Sequence, residues 1–172
     1  RFDEFLANLP SGVQLFSLFQ VYPELLEVVA EIMGTAPRLS GYLARSGYLL
    51  DALLQEGVGA RAPEKQQLVE SIERELKFTK DFQDVIEITR RWSGDVKFLT
   101  SVKQLRGTID CLEGCRVLSS VADVLIDVTL KEVTKEFEKT YGVFPAAELA
   151  ILVIFASSVD TTTSSIRLDS KA

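Results

Sequence analysis

The sequence predicts an all-α protein, an antiparallel multi-helix bundle followed by one short C-terminal strand. Three observations predict it. Apolar residues recur at steps of three and four through most of the chain, the helix period. Glycine and proline punctuate that pattern at short intervals, so helices are joined by tight corners. Only Glu148 to Ala156 departs from it, with a continuous apolar run rich in β-branched residues.

Taken in order, Leu6 to Gly12 punctuates the start, and Ser11 is placed to cap a helix from Val13 that carries Leu15, Phe16, Leu18 and Phe19. Pro23 suits the first position of the next helix, having no N–H to leave unpaired. Leu25, Leu26, Val28, Val29, Ile32 and Met33 make its stripe, with Gly34 to end it and Thr35 to cap the following one. Leu39, Tyr42 and Leu43 continue that helix to Gly47, and Tyr48 to Leu54 adds another apolar turn or two. Gly57, Gly59, Ala60, Ala62 and Pro63 mark a flexible loop, which lacks lysine and the phosphate-loop pattern. Residues 64–79 contain neither glycine nor proline and read as a surface helix. Phe82 to Trp92 extends the pattern to Gly94, and Phe98 to Leu105 resumes it until Arg106-Gly107. From Leu112 to Tyr141 runs the longest helix, with Leu118, Val121, Ala122, Leu125, Ile126, Thr129, Val133 and Phe137 on one side, stopped by Gly142 and Pro145. The run Leu149–Phe155 reads as a strand buried on both faces, and a Ser/Thr tail follows it. The expected organisation is a short-helix region over 1–55, a loop over 56–63, a long-helix bundle over 64–144, and a strand with polar tail over 145–172.

Composition narrows the chemistry. The 172 residues hold 19 Lys and Arg against 25 Asp and Glu, a net charge of −6, which argues against a nucleic-acid binder. There is no histidine, which excludes Ser-His-Asp and Cys-His catalysis and nearly every zinc enzyme site. Two cysteines are too few for a disulfide scaffold, so a reducing cytoplasm is the expected compartment. The longest apolar run, Leu149 to Ala156, is too short to cross a bilayer. The chain opens at Arg1, without methionine or a leader pattern, and reads as a piece of something longer.

Candidate groups remain sparse. Glu73/Glu75 and Glu136/Glu138 have the one-residue spacing that on a strand would aim two carboxylates at one Mg²⁺, but in helices they diverge. Asp160 and Asp169 lie too far apart for such a pair. Cys111 and Cys115 lie four apart and read as buried or partly buried free thiols. Arg90 and Arg91 offer anion contacts beside Trp92, and Arg106-Gly107 sits at a turn. Exposed arginines next to a core tryptophan are the simpler reading, and Phe16, Phe19 and Phe98 read as core. No catalytic or metal-binding residue is assigned on these grounds.

Four blocks, Leu9 to Phe19, Pro23 to Leu26, Gly34 to Leu39 and Leu49 to Leu54, resemble in order and spacing the glutamine synthetase adenylyltransferase family, the bifunctional adenylyltransferase/adenylyl-removing enzymes. Arg90-Arg91-Trp92, Phe98 and Leu105-Arg106-Gly107 resemble the helical stretch that follows there, and the likeness spans most of residues 2 to 156. The resemblance implies two nucleotidyltransferase domains joined by a helical regulatory region. One half transfers AMP from ATP to a glutamine synthetase tyrosine, and the other removes it by phosphorolysis. A PII signal protein and glutamine bias the balance, and Mg²⁺ and ATP serve the full-length enzymes. In register, this chain would cover the end of the central region and the helices leading into the second, adenylylating domain, with Leu149–Phe155 as that core's first strand. The family then has a glycine-rich turn and an Asp-x-Asp pair that holds Mg²⁺. Here Ala156, Ser157 and Ser158 occupy the turn, and Ser165 and Arg167 stand where the aspartates belong. Serine is a weak ligand and arginine repels a cation. The resemblance therefore implies a helical scaffold or interface with an incomplete nucleotidyltransferase core, or else a regulatory module docking a signal protein or glutamine synthetase. A homo-oligomer completing the orphan strand is a third expectation.

Overall fold

The computed structural model describes residues 12–56 and 61–142. Every regular element in them is a helix, in agreement with the all-α reading, and there are seven among the described residues. The strand expected at Leu149–Phe155, the Ser/Thr tail, the Ser11 cap and loop residues 57–60 lie outside the described residues, as do Asp160, Ser165, Arg167 and Asp169.

Helix α1, Gly12–Val21, is followed by Tyr22 and then α2, Pro23–Thr35, which has Pro23 in its first turn. Leu25, Val28, Val29 and Ile32 are its buried residues, one face at helical spacing. Gly34 does not end it. The break falls at Ala36, because Pro37 disfavours the α conformation in the residue before it. Nor does Thr35 cap the next helix; its hydroxyl donates back to the Glu31 carbonyl at 2.7 Å. Helix α3, Pro37–Arg45, then buries Ser40, Leu43 and Ala44, and α4, Leu49–Glu56, starts after a turn at Gly47-Tyr48.

Helix α5, Lys65–Leu76, is shorter than expected at its C-terminal end. There the Leu76 carbonyl accepts from both the Thr79 amide at 3.2 Å and the Thr79 hydroxyl at 2.7 Å. Asp81 then caps α6, Phe82–Leu105, by accepting from the Asp84 amide at 2.9 Å. Helix α6 corrects the expected interruption at Gly94, since it runs through that residue unbroken. A Cβ at Gly94 would run into the Tyr42 hydroxyl and ring. This glycine serves a close approach between helices and not a break. After α6, Gly107 takes φ 67° and the Thr108 amide donates to the Lys103 carbonyl at 2.9 Å, a left-handed helix end. Asp110 and Glu113 exchange side-chain-to-amide bonds of 2.7 and 3.1 Å to start α7, Cys111–Tyr141, which ends at Gly142 with φ 83°.

The chain divides into two compact units, Arg1–Val133 and Thr134–Ala172. In the first, two apolar clusters form. Phe19, Ile32, Leu43 and Leu49 gather the short helices around Phe98 and Val102 of α6. Leu68 and Ile72 of α5 meet Trp92 of α6 and a valine row of α7 in the other. Helix α6 thus contributes to both. The α7 row is Val117, Val121, Val124 and Val128, whereas Leu118 and Val133 of the expected stripe are exposed. Apolar residues occur on more than one side of α7, so periodicity alone selects no face. Cys111 and Cys115 are also exposed, against expectation, because they lie around the helix from the buried row. Of the second unit only 134–142 are described, where the Phe137 and Tyr141 rings lie 4.7 Å apart and Lys139 pairs with Glu136 at 3.0 Å.

Candidate functional site

The densest polar constellation sits halfway along α6. Asp95 accepts hydrogen bonds from the Tyr42 hydroxyl at 2.9 Å and from the Tyr48 hydroxyl at 2.8 Å. One carboxylate thereby ties α3 and the turn before α4 to α6. The Tyr42 ring also stacks on Phe98 with centroids 5.8 Å apart, and Gly94 leaves room for it. One turn earlier, the Arg91 guanidinium meets Glu75 of α5 at 2.7 Å, and the Trp92 indole N–H donates to the Ser71 hydroxyl at 3.1 Å. Each of these bonds joins α6 to another segment of the chain.

Two clefts flank this line. One of about 560 Å³ runs beside Tyr42, Gln83, Glu87, Arg90 and Gly94. Another of about 670 Å³ lies between Tyr48, Glu75, Phe78, Ile88, Arg91 and Asp95. Phe78 is 84% exposed at the edge of the second, in the turn that follows α5.

Burial, then the hydrogen bond to Asp95 and its negative charge, push the Tyr42 phenol well above its ordinary 10.0. The Tyr48 phenol rises for the same reasons in the same order. The bond to Glu75 foremost raises the Arg91 guanidinium, which stays charged. Phenols held protonated are poor general bases at neutral pH. Because each phenol binds its proton more firmly folded than unfolded, its contribution is complete below about pH 10 and fades as pH rises through the folded value. The guanidinium denaturation midpoint should therefore fall between about pH 9 and pH 12. The double variant Tyr42→Phe/Tyr48→Phe should show a flatter slope, and an equal slope would remove these two groups as the cause.

The other sequence candidates are dispersed. Glu73 is exposed, Glu75 is taken by Arg91, and Glu136 by Lys139. Arg90 and Arg91 are exposed beside buried Trp92, as expected. Arg106 reaches Glu31 of α2 at 3.3 Å. Among the described residues no group of three His, Cys, Asp or Glu side chains could hold a metal ion. No described helix is long and apolar enough to cross a membrane. Sequence reasoning missed Asp95 and Tyr48. Asp95 next to Gly94 in a helical pattern was a signal, but its partners lie 53 and 47 residues away.

Comparison with known proteins bears on most of the chain. Residues 26–154 match the family model described as glutamate-ammonia ligase adenylyltransferase. Curated relatives are named bifunctional glutamine synthetase adenylyltransferase/adenylyl-removing enzyme. That of Mesorhizobium japonicum is 37% identical over 152 residues, covering 88% of this chain and 15% of the relative. That of Rhizobium meliloti is 34% identical with the same coverage, and that of Brucella suis is 32% identical over 154 residues, 90% of this chain and 16% of the relative. The chain thus spans about one-sixth of the length of these relatives. No solved structure matches it. The match over most of the chain and the identities above 30% place it plainly: the chain belongs to the glutamate-ammonia ligase adenylyltransferase family.

Proposed function

We propose that this chain is a non-catalytic helical scaffold of a glutamine synthetase adenylyltransferase, serving the regulation of nitrogen assimilation in the cytoplasm. One observation carries the reading. At the polar centre of α6, Asp95 is held by two tyrosines and Glu75 by an arginine, so both acids are spent on joining helices. In this reading the helices form an antiparallel bundle leading into a nucleotidyltransferase core that begins with Leu149–Phe155. The family reaction, AMP transfer from ATP to a glutamine synthetase tyrosine with Mg²⁺, belongs to other parts of such an enzyme. Incubating the chain with ATP, Mg²⁺ and glutamine synthetase should give no adenylylated product, and AMP transfer by this chain would overturn the scaffold role.

The exposed Phe78 beside the 670 Å³ cleft favours a second reading, a regulatory module that docks a PII signal protein or glutamine synthetase. Calorimetric titration with each partner separates the two, because a pure scaffold releases no heat with either. Self-association across a two-fold would instead appear as a dimer in sedimentation.

A further inference from the structure

The two cysteines take no part in joining the helices. Cys111 is the first residue of α7 and Cys115 lies one turn on, and both are exposed. Four residues advance a helix by about 6 Å and carry it only about 40° past a full turn. The two thiols therefore share a side of α7, with about 5–6 Å between their Cβ atoms. Neither takes part in a disulfide or a hydrogen bond among the described residues. The turn that bears them is fixed from two directions. Asp110 and Glu113 close the start of the helix through bonds of 2.7 and 3.1 Å. Gly114 is buried so close to α6 that a Cβ there would run into the Gln104 side chain. The thiols are thus held in register without being covered.

What accompanies the pair sets its chemistry. The chain has no histidine and no third cysteine. Among the described residues no third His, Cys, Asp or Glu completes a metal-holding group with them. Zinc asks for four ligands of this kind, and Mg²⁺ and Ca²⁺ ask for a shell of oxygens. Cuprous ion is the cation that soft thiolates select, and two of them satisfy it. The span also fits. A sulfur–metal–sulfur unit with bonds of about 2.3 Å reaches about 4.6 Å in line, which two side chains with Cβ atoms about 5–6 Å apart can bracket. A direct disulfide fits less well, since it draws the Cβ atoms to about 3.5–4.5 Å and would unwind the turn.

We propose that Cys111 and Cys115 form a two-coordinate site for cuprous ion. Each thiol gives up its proton to water and forms one sulfur–copper bond, so copper stays cuprous and nothing is oxidised. This site is independent of whether the chain catalyses or only supports AMP transfer. The full chain is titrated anaerobically with cuprous ion against the chromophoric chelator bicinchoninate. The expected result is a single cation bound per chain, with copper-edge X-ray absorption showing a pair of sulfur neighbours. Cys111→Ser and Cys115→Ser, both at exposed positions, should each weaken binding by at least about hundredfold, the scale of a lost chelating partner. The double variant Cys115→Ser/Arg116→Cys keeps two thiols but sets them about 140° apart around the helix, and should bind as weakly as the single variants. Circular dichroism confirms that these variants are folded. Zn²⁺ at equal concentration should leave the bound copper in place. A single variant that binds as tightly as the native chain, or a shifted pair that does, would overturn the site. So would one cation shared between two chains, and displacement by Zn²⁺ would overturn the assignment of cuprous ion.

Discussion

Replacing Trp92 with alanine should lower the stability of the chain by about 3–5 kcal/mol, the range for deleting a large buried aromatic. Trp92 is 2% exposed and joins α5, α6 and the valine row of α7. Its removal opens a cavity and strips Ser71 of a donor at 3.1 Å. The two losses are unequal. Trp92→Phe keeps most of the packing and gives up the hydrogen bond, worth about 1 kcal/mol, so it should cost far less than alanine. Urea denaturation followed by circular dichroism measures both, since the variants lack the tryptophan signal. A Trp92→Ala loss below about 1 kcal/mol would mean that the second cluster is not held by this ring.

Ile32→Ala should cost about 2–5 kcal/mol, because Ile32 is fully buried in the cluster of short helices. The more informative quantity is where the loss is felt. Trp92 belongs to the other cluster, yet Phe98 and Val102 of the same helix sit in the cluster of Ile32. An unbroken α6 cannot lose half its packing and keep the other half unchanged. The unfolding midpoint reported by Trp92 fluorescence should therefore fall in Ile32→Ala together with the midpoint reported by circular dichroism. An unshifted fluorescence transition would show two independently folding halves.

Much of this was legible from residue pattern. Pro23 marks a helix start because a missing N–H is harmless only there, and Val28, Val29 and Ile32 announce a buried face by spacing alone. Trp92 as a core residue and Gly142 as a helix end follow from equally local rules. The misreadings share a cause. Gly94 looks like a breaker along the chain, but its lack of a side chain answers the Tyr42 ring 52 residues away. The α7 stripe offered two faces of similar apolarity, and only the position of α5 and Trp92 selected the valines. The Asp95 clamp was invisible for the same reason, as its members are far apart along the chain.

Residue pattern was enough for the helical class of the described chain, for where most helices begin, and for the family resemblance, because these depend on periodicity, caps and ordered blocks of neighbouring residues. It took the packing of the helices to show that one continuous helix serves two apolar clusters and that Asp95 unites two tyrosines. Those features depend on distances between residues far apart along the chain, which a side chain's own neighbours in sequence do not encode.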